Sequence, residues 1–319
     1  RFRKGCAGEE CGGCIPLLVI VMATLYTHQS QNIRKTWFLM ATFFIAVIGI
    51  AWAVSWFYNN QLILWIAVAV ALVMNVGSYW FSHKLVVKMT GAHPADPREY
   101  RELHRIVENL AITAGLPKPD VYVINDPAPN AFATGRDPEH AVVAFTTGLL
   151  SMLERSEIEG VAAHELAHVG NRDMLVATVA VVLAGFIAII ADIFMRSLWF
   201  GAAGRDNRAG GIILIIGIVL AILAPIAAAM IQTAISRKRE YLADASGALL
   251  TRYPEGLASA LEKISSANRP MQRQSHATAH LFIANPFGSG RGFPQNINRL
   301  FQTHPPAEER VAILREMQV

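Results

Sequence analysis

The chain has 319 residues, of which 53% are hydrophobic and 16% charged, against roughly a quarter charged in soluble domains. That apolar content excludes a disordered chain. The 28 basic and 24 acidic residues leave a net charge of +4, too small a surplus for a phosphate-reading surface, so no nucleic-acid partner is expected. With a mean hydropathy of +0.34 and apolar residues blocked into long runs, the composition predicts a multi-pass membrane protein, mainly α, that carries a modest polar domain in contact with the lipid bilayer.

The chain opens on a segment with Cys6, Cys11 and Cys14, its three cysteines. Three thiols without a nearby fourth ligand make a weak metal site. Residues 1–21 read instead as an extension or artefact ahead of Met22. Two charge-free runs follow, 37–57 and 62–81, each long enough to cross a bilayer as a helix. Together, residues 22–81 form an N-terminal segment with two spans. The block 82–173 is polar and mixed: helical spacing over 97–114, a β-prone run over 120–124, another over 141–145, a short helix from 148, and a longer one for which Ser156 is the predicted N-cap. Two further spans are expected at 174–190 and 210–236, the last with a kink at Pro225. A second polar block, 237–319, reads as mainly helical. Arg34 and Lys35 precede the first span; Lys84, Lys88, Arg98 and Arg101 follow the second; Arg237, Lys238 and Arg239 follow the fourth. The positive-inside rule then puts both termini and both polar blocks in the cytoplasm, although Arg196, Arg205 and Arg208 in the loop 196–209 run against it.

The chemistry concentrates in His164-Glu165-Leu166-Ala167-His168. Two histidines four apart on a helix lie about 40° apart around its axis, so both imidazoles face one way and can share one zinc ion. Glu165, between them, reaches a water on that ion. Zinc lowers the pKa of such a water to about 7, and a carboxylate takes its proton as it attacks a carbonyl. A catalytic zinc needs a third protein ligand. The metzincin extension is absent, because Asn171 and Met174 stand where glycine and histidine would be required. Glu240, after the fourth span, is the best candidate, since two crossings return it to the face that holds His164. Asp244, one turn on, is placed to hydrogen-bond a ligand imidazole.

The sequence resembles the HtpX-type membrane zinc metalloproteases, relatives of the CAAX prenyl proteases, from about Met22 onward. The residues that carry this are His164-Glu-Leu-Ala-His168, Ser236-Arg-x-x-Glu240-Tyr-x-Ala-Asp244 and Thr303-His304-Pro-Pro-x-x-x-Arg310, with Asn130-Ala-Phe-Ala-Thr-Gly135 and Thr146-Thr-Gly-Leu-Leu150 in support. The resemblance implies four transmembrane helices with a cytoplasmic α+β zincin-like catalytic domain in the plasma (inner) membrane. It implies one Zn2+ per chain on His164, His168 and Glu240, with Glu165 as general base. It also implies cleavage of membrane-protein or unfolded-protein substrates, often damaged ones, in a stress response. His304 fits a donor to the developing oxyanion, and Arg310 a tie between the tail and the zinc helix. A peptide substrate is often held as an added strand. The run 141–145 is the expected sheet edge, with Ala141 and Val143 on it and Asn130 and Phe132 lining the cleft. His276 and His280 repeat the four-residue spacing without an acid between them and read as structural.

Two other readings compete. An intramembrane site-2-type protease would bury the motif within a span, whereas here it precedes one, with Glu157, Glu159, Arg172 and Asp173 around it. A non-catalytic membrane scaffold or metal transporter would not need Glu165, or would place its ligands inside the spans. The sequence leaves natural substrates, regulation and oligomeric state open.

Overall fold

The computed structural model describes residues 14–57, 59–183, 187, 217, 237–267, 269–273, 278–287 and 305–317. Helices α1 (Cys14–Phe57) and α2 (Gln61–Thr90) form an antiparallel pair. Between them, Asn60 caps α2 by accepting the Leu62 amide through its side chain. Within α1 the apolar stretch Ser30–Trp56, and α2 over its whole length, are long and apolar enough to cross a membrane. Their large apolar side chains point outward: Phe38 is 72% exposed, Trp56 79% and Val73 71%. Exposed apolar faces of this extent suit a lipid environment. Both helices outrun the predicted spans. α1 continues back through Lys35 and Arg34, and α2 runs on past Lys84 and Lys88 to Thr90, since long basic side chains at a span's end reach the headgroups without breaking the helix. Gly91, at φ +72°, then closes α2 with its amide on Lys88 and Val87 carbonyls.

The polar block begins with β1 (His93–Pro94), a turn on Asp96, and helix α3 (Arg101–Thr113), shorter than predicted because Asp96 captures the amides of Arg98 and Tyr100. Strands β2 (Asp120–Ile124), β3 (Ala131–Gly135) and β4 (Ala141–Thr146) complete a sheet of order β1-β2-β4-β3, in which β2 and β4 are parallel and the other pairs antiparallel. This overturns the expected edge. β4 is paired on both sides, so Ala141 and Val143 lie in an inner strand and offer no backbone to a peptide. The edges are β1 and β3, and the sequence reading did not identify β3 as a strand. Its run Ala-Phe-Ala-Thr-Gly has weak β propensity, and small residues are what let it lie against a helix.

That helix is α5 (Arg155–Gly170), reached through the one-and-a-half-turn α4 (Thr147–Met152). The predicted cap, Ser156, is not the cap. Glu154 takes that position, because Glu157 at the third helical residue reaches back to its amide at 2.8 Å and completes a reciprocal capping box. Glu157, 4% exposed, also receives Ser259 Oγ at 2.5 Å and Lys263 Nζ at 2.8 Å, fastening the start of α5 to a later helix. α5 ends at Asn171. Arg172 adopts a left-handed φ of +55°, and α6 (Asp173–Leu183) leaves at 80° to α5. α6 begins where the third span is predicted. The rest of that span, the fourth span with Pro225, and the loop 196–209 lie outside the described residues.

Beyond them come α7 (Arg237–Thr251), α8 (Pro254–Ala267) and α9 (Ala307–Glu316). Two glycines set how closely they approach α5. A Cβ on Gly160 would fall 2.6 Å from the Leu257 amide nitrogen, and one on Gly247 would fall 3.0 Å from that of His164. Backbone therefore meets backbone at both contacts, and α7 lies directly on the turn that holds the histidine motif. The core is continuous from α3 through the sheet to α5, α8 and α9, including Val107, Val143, Phe145, Val161, Leu166, Leu257 and Leu314.

Candidate metal centre

His164, Glu165 and His168 lie on the last two turns of α5, and α7 meets that part of α5 with Glu240, Asp244 and Gly247, spaced four and three apart. His164 and His168 approach at 3.2 Å between their Nε2 atoms. Glu240 reaches both: Oε2 is 3.8 Å from Nε2 of His164, and Oε1 is 3.6 Å from Nε2 of His168. All three ligand atoms lie within 4.8 Å of one another. Donors around a tetrahedral zinc at its usual bond lengths sit about 3.3 Å apart, so the donor set matches such an ion closely and needs only a small inward movement of Glu240.

The far side of each imidazole argues the same way. Nδ1 of His168 faces Asp173 Oδ2 at 3.3 Å. Nδ1 of His164 lies 2.9 Å from Asp244 Oδ1, but off the line of the ring N–H, so that carboxylate holds the ring mainly by charge. Carboxylates accept only, so each favours a proton on the Nδ1 it faces, and a neutral imidazole protonated there carries its lone pair on Nε2. Two lone pairs and a carboxylate then converge on one buried point, an arrangement that calls for a cation. Without a metal ion a proton answers that call. Burial works against charge on His168, but Asp173 and Glu240 outweigh it and lift its pKa to about 9. Burial holds His164 below the ordinary histidine value despite Asp244.

Glu165 is 2% exposed. Burial pushes its carboxyl up to about 7, and Glu240 adds to this, while His168, Arg310 and a hydrogen bond from the Ala133 amide of β3 restrain it. A carboxyl group near neutrality, beside the ligand set and held by the edge strand, has the properties of a proton acceptor at physiological pH.

Arg310 on α9, 2% exposed, forks onto Asp244 with Nε at 2.8 Å from Oδ2 and Nη2 at 2.6 Å from Oδ1, and Nη1 stands 3.9 Å from Glu240. Burial alone would raise the Asp244 carboxyl, but the guanidinium and His164 hold it below the usual range. Arg310 thus ties the tail to α7 and balances two buried carboxylates. Arg310→Ala is expected to destabilise the fold by roughly 3–5 kcal/mol, because it strands that charge. Unfolding curves in detergent check this, and an unchanged curve refutes it.

Of the other predicted residues, Asn130 and Phe132 are buried. The Asn130 side chain donates to Ala284 O at 3.0 Å and accepts the Ala284 amide at 3.2 Å. Phe132 packs edge-on against Phe282 with ring centroids 5.1 Å apart. His304 and His276 lie outside the described residues, and His280 is buried in a short turn at 279–281. The sequence reading missed Asp173 as a ligand's partner. Its only sequence signal is an acid five residues past His168, which resembles any charged helix end.

Two imidazoles and a carboxylate on packed helices, with a buried carboxyl group between the imidazoles, form a candidate metal site. The sequence pattern of peptidase family M48 matches residues 97–318. A relative named Protease HtpX homolog, from Caldanaerobacter subterraneus subsp. tengcongensis, is 46% identical over 302 residues, covering 93% of this chain and 99% of its own. One of the same name from Thermoanaerobacter pseudethanolicus is 48% identical over 300 residues, covering 92% and 98%. Among solved structures, S. mikatae Ste24p aligns over 94% of this chain and 73% of its own at 20% identity, with a TM-score of 0.48. The chain belongs to peptidase family M48 and is a membrane metalloprotease.

Proposed function

We propose that the protein is a zinc endopeptidase that cuts misfolded or damaged membrane proteins at the membrane surface, with one Zn2+ per chain on His164, His168 and Glu240. The observation that carries this reading is the convergence of those three ligand atoms beside a buried Glu165 near neutrality. Zinc bound there supplies a Lewis acid for the scissile carbonyl and lowers the pKa of a nearby water. The chain supplies the rest. Glu165, steadied by the Ala133 amide, takes the proton and returns it to the leaving amine. Asp173 and Asp244 keep the two imidazoles in the tautomer that faces the ion. Arg310 holds Asp244 ionised, and His304 is assigned to the oxyanion.

The substrate is assigned to β3. Odd-numbered residues of that strand turn their amides and carbonyls away from β4, as the Ile283 amide on Ala131 O shows at 2.9 Å. Ile283 occupies the start of the edge, with a bridge at Phe132 and Phe282. Past the Ala133 amide, which Glu165 takes, the Ala133 carbonyl and Gly135 are the proposed template for an extended peptide.

Four crossings of the plasma membrane, with the catalytic parts and both termini cytoplasmic, remain the proposed topology. The 80° bend between α5 and α6 supports a surface site over an intramembrane one, because it turns the apolar helix away from the motif. The test is metal analysis with proteolysis of unfolded casein in detergent. One zinc per chain is expected, with activity lost on chelation and restored by stoichiometric zinc. Undiminished cleavage by protein shown to be metal-free overturns the proposal.

A further inference from the structure

The first membrane helix has one buried stripe at three- and four-residue spacing: Asn32, Thr36, Leu39, Met40 and Phe43. Its apolar part packs on Leu175, Val176 and Val179 of α6. That packing brings Asn32 to the bend between α5 and α6. The Asn32 side chain, 3% exposed, spends its amide group there. Nδ2 lies 3.0 Å from the Asn171 carbonyl and 2.7 Å from Asp173 Oδ1. The second oxygen of Asp173 is the one that faces Nδ1 of His168 at 3.3 Å, and Nη1 of Arg239 stands 3.6 Å from the first.

We propose that Asn32 is a positioning residue for the metal centre: from the first membrane helix it fixes the Asp173 carboxylate that orients His168. The inference rests on the metal-centre reading above. A buried primary amide is expensive to keep unless it has fixed partners, and its partners here sit at the bend behind the metal ligands: Asn171, the cap of α5, and Asp173, the first residue of α6. Asp173 is the first residue of α6, and among the described residues the side chains that meet its carboxylate, Asn32, His168 and Arg239, come from other elements. Asn32 donates to Oδ1 and leaves Oδ2 for the imidazole. Partners of this kind, one bond behind a ligand, typically tune metal affinity 10–100-fold. The same contact makes the relative placement of α1 and α6 part of the metal site, so the membrane portion helps to build the centre as well as anchoring it.

The test uses full-length protein in detergent. Asn32→Leu keeps the volume and removes both donors. The zinc dissociation constant, read by competition with a chelator, is expected to rise about 10–100-fold, and the visible bands of cobalt(II)-loaded protein are expected to shift. On an Asp173→Ala background the same change is expected to have no further effect on affinity. A merely structural Asn32 would lower the melting temperature while leaving affinity and spectrum alone, and that result overturns the proposal. If Asn32→Leu does not fold, Asn32→Gln decides by the same readouts, since it keeps the amide but displaces it by a methylene. If neither variant folds, Asn32 serves stability first and the proposal falls. Wild type that binds no zinc would instead overturn the metal-centre reading itself.

Discussion

Glu165→Gln is expected to retain one zinc per chain and to lose proteolysis by about 10²–10⁴-fold, the span typical of removing a general base. The substitution is nearly isosteric. An amide oxygen still accepts the Ala133 N–H that holds Glu165 in place, so the neighbouring strand has no reason to move. What disappears is a carboxyl group poised near neutrality by burial, the only acidic side chain between the two histidines. Zinc content and casein cleavage, measured on the same preparation, separate the two roles. Normal cleavage by the variant would sink the mechanism. Loss of zinc along with activity would make Glu165 a ligand or a structural element instead.

Glu240→Ala is expected to have a similar effect on activity by the opposite route, emptying the site. Its carboxylate faces both Nε2 atoms, and without it two imidazoles remain where a catalytic zinc takes three protein ligands. Affinity is expected to fall further than the roughly 10–100-fold that follows loss of an outer partner. The fold is expected to survive, because the Arg310 fork closes on Asp244 and not on Glu240. Metal analysis and a melting curve check both halves. Full occupancy and activity in the variant would show that another residue completes the site.

What could be read from the residues was what the chain encodes locally. The histidine motif is a five-residue pattern on one helix, and apolar runs declare the first two spans. The elements 120–124 and 141–145 were legible as strands from their β-branched residues. What was not legible depends on pairing across the fold. Nothing in Ala-Phe-Ala-Thr-Gly marks an edge strand, and the strand forms because small side chains let it pack against α5. Ser156 looked the better cap on propensity, and only the reciprocal reach of Glu157 moves the start to Glu154. Asp173 looked like a solvated helix end until the left-handed Arg172 turned it back toward His168. Asn32 carries no signal in the sequence, because a single asparagine at the head of an apolar helix has no local meaning.

The centre is assembled from both polar blocks, with Gly247 lodged against the His164 backbone and Arg310 closing the arrangement from α9. During synthesis the two imidazoles therefore emerge long before Glu240, and the guanidinium that steadies the whole comes later still. On the proposed ligand set, a nascent chain that ends short of residue 240 lacks one of the three groups assigned to the metal.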